Sequence, residues 1–87
     1  MNTVVYMKFE QNILTKKDKL FLKEIAEISS SDNELENKIK MLSFDSGGKG
    51  KEGRYVHSVI EVTALISETF PNVLLCPIGE TDFIITV

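Results

Sequence analysis

The chain has 87 residues, a formal net charge of −3 and a composition that is 43% hydrophobic and 26% charged. This composition predicts one small soluble globular domain over residues 1–87 and excludes a disordered tail. A nucleic-acid partner would require a basic face that neutralises phosphates, so the acidic balance predicts none.

The first predicted element is a strand over Thr3–Phe9. Val5 and Met7 alternate with Val4 and Tyr6, which gives the two-residue period of a strand. Because both sets of side chains are apolar, the strand is predicted to lie in the interior of its sheet.

A polar turn at residues 16–19 precedes a short predicted helix. Phe21, Leu22, Ile25 and Ala26 lie at helical spacing, and this helix is predicted to end near Ile28.

A second helix is predicted from its cap and its apolar stripe. Ser31 and Glu34 have the spacing of a capping box, in which each side chain accepts from a free N–H of the first turn. Leu35, Ile39 and Leu42 then form one stripe, which indicates an amphipathic helix packed against a sheet.

The glycine-rich segment Asp45–Gly53 is predicted to be a flexible surface loop, and Arg54–His57 a short extended piece. Ser58 and Glu61 form a second capping box, which opens a third helix. Pro71 ends that helix, because proline lacks an N–H and disfavours the helical conformation of the residue before it. The predicted buried face of the helix consists of Val62, Leu65, Ile66 and Phe70.

Two strands, Val73–Pro77 and Asp82–Thr86, end the predicted order and are joined through residues 78–81. The helix between the strands at Arg54 and Val73 allows either a parallel crossover or an antiparallel return. The sequence therefore predicts an α+β fold, with two to three helices packed on one face of a small mixed β-sheet.

The segment Gly48–Gly53 fits the pattern G-x-G-x-x-G. A dinucleotide site needs this pattern between a buried strand and a helix, where the pyrophosphate meets free N–H groups. Here the glycines lead into extended Arg54–His57, and the acidic ribose partner expected about 20 residues further on would fall at Val73. The pattern therefore predicts a mobile structural loop rather than a nucleotide site.

His57 and Cys76 are the only histidine and the only cysteine. A metal site needs several converging ligands, so the sequence predicts no metal site and no cofactor. A Cys76–His57 nucleophile–base pair is conceivable, but Cys76 lies in an apolar strand, where a thiol is usually inert. His57 is predicted to be a surface or helix-flanking residue, and the chain is predicted not to be an enzyme.

Several stretches of the chain together carry a family resemblance. They are residues 4–9, residues 20–28, residues 56–62 and the closing segments 70–73, 77–80 and 83–85. They resemble the N-terminal domain of the stage V sporulation protein AA family, and the resemblance covers nearly all of the chain. Glu24 stands where Asp is commoner in the family. The loop Asp45–Gly53 departs from the shorter connection expected there, so the resemblance assigns it no role.

The resemblance implies a longer protein whose membrane-spanning helices follow this domain. It implies a location at the spore inner membrane (the forespore membrane), with the soluble domain on the cytoplasmic side. The family belongs to the SpoVA system, which moves dipicolinic acid with calcium into the developing spore and releases it at germination. The expected role is a non-enzymatic interaction domain that contacts other SpoVA proteins, and a homo-oligomer is compatible with that role.

The expected docking surface is an exposed sheet edge or the last strand, at Phe83, Ile85 and Val87, because an unpaired edge accepts a partner strand. The alternative is a domain that binds dipicolinate or calcium directly. Dipicolinate is a dianion and requires converging cationic groups, for which the sequence offers Lys49, Lys51 and Arg54 around the glycine loop.

Overall fold

The computed structural model describes residues 3–79 and 81–87. Its elements, in chain order, are β1 (Thr3–Phe9), β2 (Asn12–Leu14), β3 (Lys19–Phe21), α1 (Leu22–Ile25), β4 (Ala26–Ser30), α2 (Asn33–Lys40), β5 (Ser43–Asp45), β6 (Arg54–Ser58), α3 (Val59–Thr69), β7 (Val73–Ile78) and β8 (Asp82–Thr86). The predicted connection over residues 78–81 includes Glu80, which lies outside the described residues.

The predicted α+β class is confirmed, but the strands are divided among several sheets instead of forming one. Within the described residues there are three sheets, with the strand orders β4–β1–β7, β2–β8–β6 and β3–β5. The strands β6 and β7 belong to different sheets, so neither predicted pairing across α3 occurs. Instead, β7 lies parallel to β1.

Strand β1 is the central strand of its sheet, as predicted. It pairs antiparallel with β4 and parallel with β7. Val5 and Met7 face the core and are 0% and 1% exposed, whereas Tyr6 on the opposite face is 52% exposed. The interior position is therefore confirmed, but the second apolar face of the strand is not covered.

The first predicted helix is much shorter than expected. Helix α1 covers a single turn, Leu22–Ile25, and the chain continues as strand β4. Ala26 and Ile28 are buried while Glu27 is exposed, which is the period of a strand. The apolar residues of this segment fit the period of a helix as well as that of a strand. Pairing with β1 stabilises the strand from residue 26 onward.

Helix α2 has the predicted stripe but a different cap. Its N-cap is Asp32 rather than Ser31, and Asp32 Oδ1 accepts from the backbone N–H of Leu35 at 3.1 Å. Ile39 is fully buried, and Leu35 and Leu42 pack partly buried against the core. The amphipathic pattern is confirmed, but the predicted capping box is wrong, because the side chain of Asp32 caps the helix alone.

Helix α3 has the cap and the end that the sequence predicts. Ser58 Oγ accepts from the N–H of Ile60 at 3.2 Å, and Glu61 Oε2 accepts from the N–H of Ser58 at 2.7 Å. The last helical residue is Thr69, and Phe70 caps the helix directly before Pro71. Both local signals are therefore confirmed.

One cluster of buried apolar residues draws members from all three sheets. Met7 comes from the β4–β1–β7 sheet, Phe83 and Ile85 from the β2–β8–β6 sheet, and Leu20 and Phe44 from the β3–β5 pair. This shared core holds the inner faces of the sheets, so their opposite faces are the surfaces available for function.

Candidate functional site

The outer face of the β4–β1–β7 sheet carries a contiguous apolar strip. In the parallel pair of β1 and β7, Val4 lies opposite Leu74 and Tyr6 lies opposite Cys76. Side chains directly opposite each other on adjacent strands are neighbours, with Cβ atoms about 5 Å apart. We call this surface the outer face, and it consists of Val4, Tyr6, Lys8, Glu27, Ser29, Leu74, Cys76 and Ile78.

The large apolar side chains of the outer face are open to solvent. Tyr6 and Leu74 are each 52% exposed, and Ile78 is 53% exposed. A single exposed apolar side chain is ordinary on a protein surface, whereas large contiguous apolar patches are typical of interaction sites. The strip spans both strands, so it presents one surface rather than scattered residues.

A polar margin borders this strip on the side of β4. Lys8 lies opposite Glu27, and Tyr6 lies opposite Ser29, in the antiparallel pair of β1 and β4. A groove of about 340 Å³ crosses this margin, with Tyr6 and Ile78 among its lining residues. An apolar strip beside one cationic and one anionic side chain can both bury apolar area and orient a partner.

The predicted docking edge at the last strand is wrong. Strand β8 is the centre of its sheet, with β2 parallel on one side and β6 antiparallel on the other. Phe83 is 1% exposed and Ile85 is 0% exposed, because both side chains point into the core. Val87 follows β8 and is bonded to Gly53 through two backbone hydrogen bonds. A partner strand therefore finds no free edge there.

The glycine-rich loop is anchored rather than free. Ser46, inside the loop, is fully buried, and its N–H donates to the carbonyl of Asp18 at 2.8 Å. The carboxylate of Asp18 accepts from the N–H of Gly50 at 2.7 Å. Gly53 and Val87 exchange two backbone hydrogen bonds at 3.2 and 2.9 Å. Most of the loop lies at the surface, as predicted, but side-chain and backbone bonds anchor it at three places.

The same bonds remove the donors that an anion site would need. A backbone anion site presents successive free N–H groups. The N–H groups of Gly47, Gly48 and Gly50 instead donate to the side chains of Asp45, Ser46 and Asp18, at 2.8, 3.2 and 2.7 Å. The protein's own acceptors therefore fill these positions of the loop.

Lys49, Lys51 and Arg54 are all exposed, and they do not line the cavity beside the loop. That groove, of about 630 Å³, is lined by Leu14, Thr15, Lys16, Asp18, Gly50, Glu52, Thr86 and Val87. Its charged groups are two carboxylates and one ammonium, which is a poor match for a dianion. The structure does not bring the predicted cationic residues together in this groove.

His57 flanks helix α3, as predicted, but it is buried rather than at the surface. Its Nε2 lies 2.7 Å from the carbonyl oxygen of Ser46, and its Nδ1 lies 3.4 Å from Glu61 Oε2. Because a carbonyl can only accept, Nε2 carries a proton and donates to Ser46. The ring also stacks on Phe83, with centroids 5.5 Å apart, and meets Phe44 edge-on. His57 thereby ties the glycine loop to the core.

The Cys76–His57 pair considered from the sequence is divided between two sheets. Cys76 lies on β7 and is only partly buried, on the outer face beside Tyr6. His57 lies on β6, and its two ring nitrogens face Ser46 and Glu61. Among residues 3–79 and 81–87, no group of three or more His, Cys, Asp or Glu side chains is placed to hold a metal ion.

Two carboxylates have perturbed acidity for structural reasons. Glu24 accepts from Lys17 Nζ and from the N–H of Phe21, each at 2.8 Å, and both bonds lower the pKa of Glu24. The pKa of Glu36 is lowered by the N–H of Ser30 first and by Lys40 second. Both acids tie neighbouring segments together, and neither lies on the outer face.

The sequence carries a signal for the outer face that is equally typical of a strand buried on both sides. Val4 and Tyr6 made the second face of β1 apolar, and this indicated burial on both sides. The same period in β7, at Leu74 and Ile78, extends that apolar face onto the neighbouring strand. Two adjacent strands with apolar outer residues are consistent either with an internal layer or with a docking surface, and here no element of the described chain covers them.

Comparison with known proteins adds a family and a fold. A family model described as Stage V sporulation protein AA matches residues 2–87. A crystal structure of a functionally unknown protein from Eubacterium ventriosum is similar, with a TM-score of 0.86 and 25% sequence identity, and the match covers 99% of this chain and 94% of that chain. No curated protein matches. No helix within the described residues is long and apolar enough to cross a membrane.

Proposed function

This chain belongs to the stage V sporulation protein AA family, and on that premise we propose that it is an interaction domain of the SpoVA assembly. It docks another subunit of that assembly through the outer face of the β4–β1–β7 sheet. The observation that carries the proposal is the contiguous strip in which Tyr6, Leu74 and Ile78 are each about half exposed. Sporulation is the process that the family indicates, and the assembly is the proposed context.

The proposed assembly transports calcium with dipicolinic acid across the spore inner membrane, and this domain lies on its cytoplasmic side. The domain contributes binding rather than chemistry. The chemically reactive side chains support this assignment, because His57 is engaged with Ser46 and Glu61 and Cys76 lies apart on another sheet. A docking role uses the residues that the fold leaves uncovered.

The composition of the outer face suits a protein partner. Burial of apolar side chains such as Tyr6 and Leu74 stabilises a complex by roughly 25 cal/mol per Å² before the costs of association are subtracted. Lys8 and Glu27 lie opposite each other at one side of the strip. A partner that placed opposite charges against them would be held in one orientation.

Direct binding of dipicolinate or calcium has less support. For calcium, no group of three or more His, Cys, Asp or Glu side chains among residues 3–79 and 81–87 is placed to hold a metal ion. For dipicolinate, the donors and the charge are unfavourable. The loop N–H groups of Gly47, Gly48 and Gly50 are occupied by side chains of the same chain. The groove beside the loop contains the carboxylates of Asp18 and Glu52, which repel a dianion. The interaction role is therefore the better-supported function of the two.

Affinity recovery from sporulating cells tests the proposal. The chain carries a tag and is expressed as wild type, as Tyr6→Lys and as Val56→Lys. Val56 is the matched control, because it is also an exposed apolar residue on a strand, at 70% exposure, but lies in the β2–β8–β6 sheet. We expect the wild type and Val56→Lys to recover other SpoVA proteins and Tyr6→Lys to recover far less.

Two results would contradict the proposal. One is recovery of SpoVA proteins by Tyr6→Lys at the wild-type level, which would exclude the outer face. The other is that the wild type recovers no SpoVA protein, which would show that the SpoVA assembly is not its partner. Circular dichroism of each variant separates a loss of binding from a loss of folding.

A further inference from the structure

Strand β7 differs from the other edge strands in the described part of the chain. It is six residues long, and no Asp, Glu, Lys or Arg occurs from Pro71 to Gly79. The other edge strands are either charged, such as β4 with Glu27 and β6 with Arg54, or only three residues long, such as β2. Charge, shortness and proline are usual means by which natural edge strands avoid pairing with another chain, and of these β7 has only Pro77.

We propose that two copies of this chain pair through their β7 edges. The strands run antiparallel about a twofold axis that passes between the Cys76 residues of the two copies. The two three-stranded sheets then become one continuous six-stranded sheet, with both outer faces on the same side. This inference goes beyond the proposed docking function, since it concerns a second copy of the same chain.

The residue pattern of β7 favours a second copy over an unrelated strand. Leu74 and Ile78 lie two residues to either side of Cys76, on the same face. Antiparallel pairing about Cys76 therefore sets Leu74 of each copy opposite Ile78 of the other. A twofold interface requires this kind of self-complementary patch.

The distribution of charge supports the same arrangement. Each copy has a net charge of −3, so two copies repel each other in general. The uncharged run from Pro71 to Gly79 brings no pair of like charges into contact. Charged edges such as β4, with Glu27, would place carboxylates near each other across a twofold axis.

Pro77 sets how this pairing is stabilised. Proline has no N–H, so each copy lacks one donor in the new ladder. The ladder is weakened at this position, and contacts between Leu74 and Ile78 add to the stabilisation that the remaining backbone bonds supply. Substitution of these side chains should consequently have a large effect on dimerisation.

Sedimentation equilibrium of the purified chain tests the dimer. We expect a monomer–dimer equilibrium for the wild type, and a dimer dissociation constant at least about tenfold weaker for Leu74→Lys. Val56→Lys is the matched control, because it changes an exposed apolar residue on another edge strand, and it should dimerise as the wild type does. Ile78→Lys, at a 53% exposed position, repeats the test if Leu74→Lys does not fold.

Cross-linking through Cys76 tests the position of the axis. Cys76 is the only cysteine, and directly opposed residues on paired strands have Cβ atoms about 5 Å apart. A short bismaleimide should therefore join two copies of the wild type efficiently and join Leu74→Lys poorly. A monomer at all concentrations, or a dimer that neither depends on Leu74 nor cross-links through Cys76, would overturn the inference.

The dimer and the docking function can fail independently. Tyr6 lies on β1, one strand away from the β7 edge, so Tyr6→Lys should lose SpoVA proteins while it retains the dimer. A chain that dimerises but recovers no SpoVA protein supports the dimer alone. A monomeric chain that still recovers SpoVA proteins supports docking alone.

Discussion

The outer face of the β4–β1–β7 sheet and the glycine-loop region around His57 are two contrasting parts of this molecule. The loop region holds the residue types that suggest chemistry, namely glycines, lysines and the only histidine. Its polar groups, however, are engaged with one another, as the bonds from His57 to Ser46 and from Gly50 to Asp18 demonstrate. The outer face carries the thiol of Cys76 without the imidazole of His57 beside it, and no element of residues 3–79 and 81–87 covers its apolar side chains. The proposed docking function therefore uses side chains that the fold leaves exposed rather than the residue types that suggest chemistry.

The largest effect is expected at Phe83, which belongs to the core beneath the loop region. Phe83→Ala should lower the free energy of unfolding by about 3–5 kcal/mol, because a fully buried ring leaves a cavity. Tyr6→Ala, on the outer face, should cost about 1 kcal/mol or less. Urea denaturation of both variants measures the difference. Equal and small losses would mean that Phe83 is accessible, as a docking residue would be.

An intermediate effect is expected at His57. His57→Leu should lower stability by about 1–3 kcal/mol, because the carbonyl of Ser46 is left buried without a donor. Hydrogen exchange at Gly48 and Gly50 should accelerate, since the loop loses its tie to the core. His57→Gln is the control that keeps a side-chain donor, and it should recover part of the loss. If loop exchange stayed unchanged in His57→Leu, the anchoring role of the imidazole would be wrong.

The smallest effect is expected from the acids with lowered pKa. The pKa values of Glu24 and Glu36 are below 4.5 in the folded chain, so the unfolded chain binds protons first as pH falls. Their stabilising contribution is complete above the ordinary pKa of about 4.5 and is lost as pH falls through the lowered folded values. Melting temperatures measured downward from neutral pH should therefore decline.

Glu36→Gln supplies the control for this pH dependence. The variant should have a lower melting temperature at neutral pH and a shallower decline in acid, because its bonds from Ser30 and Lys40 no longer depend on a charge. Neither acid belongs to the outer face, so recovery of SpoVA proteins by Glu36→Gln should match the wild type. An identical pH profile in the variant would show that Glu36 does not contribute.

The elements that the sequence predicted well depend on local signals. Two such signals lie within α3 or directly beside it, namely the capping box of Ser58 and Glu61 and the stop at Pro71. The structure confirms both. The segment at Ala26–Ser30 was predicted incorrectly, because its apolar residues fit a helix or a strand and the pairing with β1 decides between them. That pairing joins residues far apart in the chain, so no short window of sequence contains it.

The candidate site could not be predicted from the sequence, because it too depends on contacts between residues far apart in the chain. Whether β8 or β7 is an edge depends on which strands pair with each, and the sequence does not state the pairing. The environment of His57 depends on Ser46, eleven residues earlier, and on Phe83 in another strand. The apolar alternation of β1 is evident in the sequence, but it predicts burial of Val4 and Tyr6, which lie on the outer face.

The most direct test of the central claim compares the two regions in one recovery experiment from sporulating cells. Tyr6→Lys changes the outer face, and the double variant Lys49→Glu/Lys51→Glu reverses the charge of the exposed loop lysines. We predict that Tyr6→Lys recovers far less of the other SpoVA proteins than the wild type and that the loop variant recovers as much. Loss of recovery by the loop variant, with Tyr6→Lys unaffected, would contradict the account.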